Sequence, residues 1–128
     1  MKVLLVEDNV YKAVDFTKAL KSLFPDHLEI CEAEDRETAQ EYLERQKFDL
    51  VLLDMFFPDC KGGYEEPWCG LKILDYLKEK PYRTPVICTS TVRCSLMDYP
   101  DCIGQVVYGK DETDFRLKEL VDQIPYLF

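Results

Sequence analysis

Short apolar runs and helix-like patterns alternate along the whole chain. Five runs have the composition of strands, and they cover 3–6, 28–33, 50–53, 85–90 and 105–108. The first and third of these are apolar throughout, which is typical of strands buried on both faces of a parallel sheet. The second alternates apolar and polar residues, so we expect it at an edge of the sheet with one face in water.

Apolar residues recur at helical spacing between these runs. The first helix ends at Pro25, and the third ends at Pro81. Asp35 is the expected N-cap of the second helix, Asp111 caps the last, and Pro125 ends it. The apolar stripes are Ala13, Phe16, Leu20, Leu23 and Phe24; Ala39, Tyr42 and Leu43; Leu71, Ile73, Leu74 and Leu77; and Phe115, Leu117, Leu120, Val121 and Ile124.

Five strands that alternate with helices predict an α/β fold with right-handed βαβ units and a doubly wound parallel sheet, covered by helices on both faces. Pro100 falls where the helix between the fourth and fifth strands would have its interior, so we expect that helix to be short or distorted. In such sheets, ligands bind outside the carboxyl ends of the strands. The candidate chemistry should therefore lie at that edge.

Composition narrows the function classes. With 128 residues and a net charge of -9, the chain fits one domain and is a poor binder of nucleic acid, whose affinity comes from Lys and Arg. No apolar run approaches the ~20 residues that cross a bilayer, and Glu7 follows Met1 too soon for a signal peptide. We therefore expect a cytoplasmic protein that does not bind membranes.

The cysteines offer a minor alternative. There are six of them and no CxxC pair, so we expect reduced thiols rather than a disulfide framework. Cys60, Cys69 and Cys94 fall on loops predicted to share one edge of the sheet, which leaves a zinc site or a redox pair open there.

Polar residues follow the apolar runs at the predicted strand ends. They are Glu7, Asp8, Asp54, Thr89, Ser90 and Lys110. Three carboxylates in one cleft repel one another unless a hard cation lies among them, and Mg2+ prefers carboxylates, waters and phosphate oxygens. One carboxylate can then act as a nucleophile toward phosphorus, while the metal and a lysine neutralise the transferred group.

Four segments in the same order resemble the receiver domain of two-component response regulators, and the resemblance covers nearly the whole chain. They are Val6-Glu7-Asp8-Asn9, Leu52-Leu53-Asp54-Met55-Phe56-Phe57-Pro58, Pro85-Val86-Ile87-Cys88-Thr89-Ser90 and Val106-Val107-Tyr108-Gly109-Lys110. The resemblance implies a flavodoxin-like sheet of order 2-1-3-4-5 and a single receiver-like domain over 1–128. Because the chain ends soon after the last predicted helix, we expect a stand-alone receiver.

The same resemblance implies a role for each candidate residue. Asp54 is the phosphoacceptor, and Ser90 and Lys110 bind the phosphoryl group. Mg2+ is held by Asp8, Asp54, the backbone carbonyl of Phe56 and, through a water, Glu7. The expected partners are a histidine kinase or phosphotransfer protein and an unknown downstream protein. The chain would be a signalling switch rather than an enzyme.

The chain departs from the family pattern in three places. Asp111 follows Lys110 where the family has a Pro with a cis bond, and we expect a trans bond here. Val107 stands where the family has its switch aromatic, and Tyr108 points to the opposite face. An insertion at about 61–69 precedes Gly70, which opens the third helix.

Two other functions stay open. One, which these departures favour, is a pseudo-receiver that binds proteins without needing phosphorylation. The other is an Mg2+-dependent phosphatase, which would need an Asp where Phe56 stands. Phe56 and Val92 either pack the loops or shield an acyl phosphate from water. Tyr64 and Trp68 either form a docking site for a partner or pack the insertion onto the surface.

Overall fold

The computed structural model describes residues 1–96 and 98–124. Its strands are β1 (Lys2–Val6), β2 (Glu29–Ala33), β3 (Leu50–Leu53), β4 (Phe57–Pro58), β5 (Glu65–Glu66), β6 (Val86–Cys88) and β7 (Cys102–Gln105). Its helices are α1 (Val10–Leu23), α2 (Arg36–Arg45), α3 (Gly70–Lys78) and α4 (Thr113–Val121).

Five parallel strands form the main sheet in the order β2-β1-β3-β6-β7. With β6 and β7 as the fourth and fifth strands of the sheet, this is the predicted flavodoxin-like order 2-1-3-4-5, which is confirmed. β2 lies at an edge, as its alternating pattern predicted. The short strands β4 and β5 form a separate antiparallel hairpin.

Alternate residues of the central strands fill two cores, one on each face of the sheet. Leu4, Val6, Val51 and Leu53 pack with the apolar faces of α2 and α3. Val3, Leu5, Leu50 and Leu52 pack on the other side with those of α1 and α4. The continuous apolar runs of β1 and β3 are thus explained by burial on both faces.

A side-chain hydrogen bond caps the start of α2 but not that of α4. The Asp35 carboxylate accepts a hydrogen bond from the backbone N–H of Thr38 at 2.8 Å, so the predicted N-cap of α2 is confirmed. The predicted cap Asp111 is wrong, because α4 begins one residue later, with Glu112 in the N-cap position. The Asp111 carboxylate accepts instead from the N–H of Val107 at 2.8 Å. Pro125, the expected end of this helix, lies outside the described residues.

The apolar stripe of α4 is narrower than expected. Phe115 is 63% exposed, whereas Leu117, Leu120 and Val121 are buried. Residues two apart in a helix do not share a face, so Phe115 and Leu117 cannot both point to the core. Phe115 was therefore assigned wrongly to the buried stripe.

The fifth strand of the sheet begins and ends three residues before the predicted 105–108. The predicted segment still runs beside β6, because the N–H groups of Val106 and Tyr108 donate to the carbonyls of Cys88 and Ser90. The β6–β7 pairing contains a register shift, and the paired residues of the last strand lie nearer the N-terminus than predicted. This strand includes Gly104, and because glycine is depleted in strands, the sequence pattern did not predict a strand there.

The segment between β6 and β7 was expected to hold a short or distorted helix. Its described residues, 91–96 and 98–101, contain bends, turns and irregular backbone but no helix. Every peptide bond in the described chain is trans, including Lys110–Asp111, as predicted. None of the helices in these residues has the length and apolar character needed to span a bilayer.

Gly70 sets how closely α3 approaches the end of β3. A Cβ atom at this position would lie 2.3 Å from the carbonyl oxygen of Asp54 and 2.9 Å from the sulfur of Met55. Only glycine allows that contact. The start of α3 is therefore fixed beside the backbone that carries the Asp54 side chain.

We expect Gly70→Ala to lower the free energy of unfolding by about 2–3 kcal/mol, because the new methyl group forces helix and strand apart. The matched control is Gly62→Ala, where φ is +80° but the space is open, so that only backbone strain of about 1 kcal/mol is added. Urea unfolding measures both. A smaller loss for Gly70→Ala than for Gly62→Ala would contradict this account.

Candidate functional site

Three carboxylates meet at the carboxyl edge of the sheet. Val6 and Leu53 are partners in the parallel pairing of β1 and β3, so the residues after them leave the sheet side by side. Side-chain oxygens of Glu7, Asp8 and Asp54 all lie within 4.8 Å of one another. The predicted acidic cluster is thus brought together.

The carboxylates open into a cavity of about 320 Å3. Its wall is formed by the strand ends, the start of α1, the β4–β5 hairpin and the loop after β6. The lining residues are Glu7, Asp8, Asn9, Lys12, Asp54, Phe56, Glu65, Thr91 and Val92. The edge identified from the sequence therefore carries a cavity of a size that could hold a small ligand.

The carboxylate of Asp54 is held at one of its two oxygens. Oδ1 accepts a hydrogen bond from the N–H of Met55 at 2.8 Å and lies 3.5 Å from the ammonium of Lys12. The residue is 5% exposed and lines the cavity. A buried carboxylate with one fixed oxygen is well suited to present the other to a ligand.

Lys12 is the group that the sequence analysis missed. Its ammonium lies 2.9 Å from Oε1 of Glu7, and its side chain is buried. The signal was present in the sequence, because Lys12 stands at helical spacing with Phe16, Ala19 and Leu20 on the buried side of α1. A lysine in such an apolar stripe needs a buried partner.

Burial and like charge shift the titration of the cluster. The pKa of Glu7 is raised from 4.5 to about 7, chiefly by burial and then by the charge of Asp54, while Lys12 opposes the rise. The pKa of Asp8 is also raised, chiefly by burial, with smaller contributions from the charges of Asp54 and Glu65. Concentrated negative charge of this kind favours a cation in the cavity.

The two hydroxyl residues after β6 are fully buried. Oγ of Ser90 accepts a hydrogen bond from the N–H of Val92 at 3.2 Å, while Oγ1 of Thr89 has no partner among the described residues. Ser90 is not one of the residues that line the cavity. The Ser90 oxygen is therefore engaged with the backbone of the loop after β6 and not with the cavity.

Lys110 lies on an exposed turn after β7. Its N–H and that of Asp111 both donate to the carbonyl of Val107, which closes the turn. The side chain makes no ion pair with any described carboxylate and does not line the cavity. The structure therefore brings Lys12 to Asp54 and does not bring Lys110 there.

The β4–β5 hairpin forms one wall of the cavity. It is held by Asp59, which is bonded to Arg36 of α2 and lies 3.0 Å from the ammonium of Lys72 of α3. These hydrogen bonds, that of Arg36 first, hold the pKa of Asp59 well below its usual range. Glu66 pairs with the same lysine at 2.8 Å. The hairpin is thus fixed to two helices.

Aromatic packing completes this wall. The rings of Phe56 and Trp68 lie 5.0 Å apart, whereas Tyr64 is 98% exposed. Phe56 and Val92 both line the cavity, on the hairpin side and on the β6 side respectively. Of the two aromatic residues in the predicted insertion, Trp68 packs against Phe56, whereas Tyr64 is exposed to solvent.

The cysteines do not form the cluster that the sequence left open. Cys69 is buried and groups with Asp59 and Glu66, and among the described residues no such group includes Cys60 or Cys94. Burial, and then the neighbouring Glu66, raises its pKa to about 12. All six cysteines are free thiols.

The acidic cluster fits Mg2+ on the chemistry of its donors. Oxygens bound to one octahedral Mg2+ at 2.0–2.1 Å are about 2.9 Å apart when adjacent and about 4.2 Å apart when opposite, so carboxylates whose oxygens lie within 4.8 Å of one another are near enough to share an ion, directly or through a water. The cavity leaves room for the waters that Mg2+ retains. The charge of Asp54 adds to burial in raising the pKa values of Glu7 and Asp8, and a bound cation would offset this repulsion.

Comparison with known proteins gives a consistent result. The family model of the response regulator receiver domain matches residues 3–103. No match was found among curated proteins. Solved structures with the same fold include a CheY-like receiver domain from Methylobacillus flagellatus, with 18% identity, a TM-score of 0.73 and coverage of 97% of this chain and 98% of that one.

Two further structures are similar. The response regulatory domain of mrkE from Klebsiella pneumoniae has 13% identity and a TM-score of 0.78, over 99% of this chain and 97% of that one. The receiver domain of sensor histidine kinase PA1611 from Pseudomonas aeruginosa has 19% identity and a TM-score of 0.70, over 96% and 95%. That structure has a magnesium ion coordinated in its active-site cleft. At such identities the likeness shows the fold alone.

We expect the metal-free protein to lose stability between about pH 4.5 and pH 7. The folded protein keeps the Glu7 proton up to about pH 7, whereas the unfolded chain releases it near 4.5, so the proton favours the folded state at low pH and is lost as the pH rises. The loss is at most about 3 kcal/mol. Urea unfolding in EDTA measures it.

The control for this prediction is Glu7→Gln, which carries no titrating group at that position. Its free energy of unfolding should fall less than that of the wild type over the same range. Equal pH dependence in the two proteins would show that Glu7 titrates normally in the folded state.

Proposed function

Because this chain belongs to the family of response regulator receiver domains, we propose that it is a phosphoacceptor switch whose phosphorylation site is Asp54. Family membership gives a signalling role in two-component systems. The observation that supports the choice of residue is the meeting of Glu7, Asp8 and Asp54 at one cavity. Among these three, Asp54 has one carboxylate oxygen fixed by Met55 and Lys12.

Mg2+ is the proposed cofactor. Asp8 and Asp54 would hold it directly, Glu7 through a water, and the backbone carbonyl of Phe56 would supply a further oxygen. The ion would neutralise charge on the incoming phosphoryl group. The chain's own part is to hold these oxygens together at the ends of β1 and β3, and the register of the two strands does this.

Ser90 would bind the phosphoryl group once it is on Asp54. In the described state its oxygen accepts from the N–H of Val92, so the hydroxyl proton can still be donated. Donation to a phosphoryl oxygen would turn the Ser90 side chain and strain the bond to Val92. The loop after β6 would then move, which offers a way to alter a binding surface.

The proposed partners follow from this chemistry. A histidine kinase or phosphotransfer protein would supply the phosphoryl group, and a downstream protein would read the loop after β6. Its described residues, 91–96 and 98–101, contain bends, turns and irregular backbone. The Gln105 side chain accepts from the N–H of Cys94 and donates to the carbonyl of Val92, so movement of this loop would exchange these hydrogen bonds.

The test is incubation of the protein with acetyl phosphate, with and without Mg2+, followed by measurement of the intact mass. We expect one phosphoryl adduct that requires Mg2+ and is absent from Asp54→Asn. The control variant is Asp26→Asn, which removes an exposed carboxylate that does not line the cavity and should still be labelled.

The negative outcome has an equally clear meaning. No adduct on the wild type, while another receiver domain is labelled under the same conditions, would contradict the phosphoacceptor proposal. The pseudo-receiver would then be the better description. An adduct that persists in Asp54→Asn would instead show that the phosphorylated residue is a different one.

We expect Phe56→Asn to shorten the lifetime of the phosphorylated state several-fold. The Phe56 ring lines the cavity and is held by the Trp68 ring, so it restricts the approach of a hydrolytic water. The decay of the adduct after removal of acetyl phosphate measures the effect. Tyr64→Asn is the matched control, because Tyr64 is exposed and does not line the cavity. Equal decay rates in wild type and Phe56→Asn would exclude shielding by this ring.

A further inference from the structure

Lys12 is a buried lysine placed by the first turn of α1. Asn9 caps this helix, and its side-chain oxygen accepts from the N–H of Lys12 at 3.1 Å. The Lys12 side chain then enters the acidic cavity, where only 6% of the residue is exposed. Its position is therefore set by the helix start, next to the carboxylates that follow β1.

The ammonium is held on two sides. It lies 2.9 Å from Oε1 of Glu7 and 5.4 Å from the centre of the Tyr108 ring. The Tyr108 ring is itself fixed, because it packs on Phe16 and its hydroxyl donates to the carboxylate of Asp15. Tyr108 thus supports the lysine through a cation–π contact, in addition to the Glu7 ion pair.

An ammonium has three N–H donors, which rotate about its C–N bond. The Lys12 nitrogen lies 2.9 Å from Oε1 of Glu7 and 3.5 Å from Oδ1 of Asp54. In the described part of the chain these are its only ion pairs, so a third N–H remains beside the Asp54 carboxylate. A phosphoryl group on that carboxylate brings new oxygens within reach of a donor that is already in place.

The lysine named from the sequence is poorly placed for this task. Lys110 is exposed on a closed turn and does not line the cavity. To reach Asp54, its side chain would have to cross from that turn and lose hydration. Lys12 needs neither step, because it is already desolvated and paired.

We propose that Lys12 is the ammonium that binds the phosphoryl group on Asp54, in the role that the sequence assigned to Lys110. This inference rests on the proposed phosphorylation of Asp54. In the transfer step, an Asp54 carboxylate oxygen forms a bond to phosphorus. The bond from phosphorus to the leaving acetate oxygen breaks, and acetate takes the electron pair. Lys12 keeps its protons and neutralises charge on the phosphoryl oxygens.

The test compares the rates at which acetyl phosphate and Mg2+ label three lysine variants. Lys12→Met should slow the labelling by about tenfold or more, because one donor to the transferred group is lost. Lys110→Met should be labelled close to the wild-type rate. Lys18→Met is the matched control, since it removes the same charge from an exposed position on the same helix. Lys12→Arg, which keeps the charge, should recover part of the rate.

A second measurement separates phosphoryl binding from a structural role. Beryllofluoride mimics a phosphoryl group on a carboxylate, and its bound form is seen by fluorine NMR. With Mg2+ present, Lys12→Met should bind beryllofluoride more weakly than the wild type, yet bind Mg2+ alone at least as well, because a competing cation has gone. Lys12→Gln replaces Lys12→Met in both measurements if the methionine variant does not fold.

The outcomes that overturn the inference are distinct from failure of the phosphoacceptor proposal. Wild-type labelling of folded Lys12→Met or Lys12→Gln, or slow labelling of Lys110→Met alone, overturns the role of Lys12 and leaves Asp54 as the phosphoacceptor. Equal loss of Mg2+ and beryllofluoride binding in Lys12→Met also overturns it, because the lysine would then only maintain the cavity. An unlabelled wild type overturns the phosphoacceptor proposal itself.

Discussion

The ion pairs of Lys12 with Glu7 and Asp54 are the interaction on which the acidic cavity depends. The register of β1 and β3 brings three carboxylates together, and burial makes their mutual repulsion stronger. Loss of one partner from a buried ion pair costs about 3–5 kcal/mol, because the other charge is left without compensation. The lysine on α1 therefore keeps the strand ends in place without a bound metal.

The same balance of charges makes the cavity sensitive to a bound cation or phosphoryl group. A divalent cation or a phosphoryl group changes the number of charges beside Lys12, and the ammonium can respond only by changing partners among oxygens a few ångströms apart. The wall opposite is less free to move, since Asp59 ties the hairpin to α2 and α3. Changes at Asp54 would thus be passed to the loop after β6, through Ser90 and Val92, rather than to the hairpin.

The acidic cluster could be predicted from the sequence because its position depends only on where two parallel strands end. Parallel strands end at one edge of the sheet, so a carboxylate after each of two apolar runs had to meet there. Lys12 was missed because a lysine at helical spacing usually lies in water, and only the close approach of α1 to the strand ends gives it buried partners. The position of Lys110 depends on a turn closed by the Asp111 carboxylate, and the register shift beside Gly104 moved the last strand. Neither leaves a pattern in the sequence.

The most direct test of the central claim is chemical location of the phosphorylated residue. Borohydride reduces an aspartyl phosphate to homoserine, and peptide mass spectrometry then identifies the position of the change. After treatment with acetyl phosphate and Mg2+, we expect homoserine at position 54 and aspartate unchanged at position 8. Homoserine at another position, or at none while the protein is folded and loaded with Mg2+, would contradict the assignment of Asp54 as the phosphoacceptor.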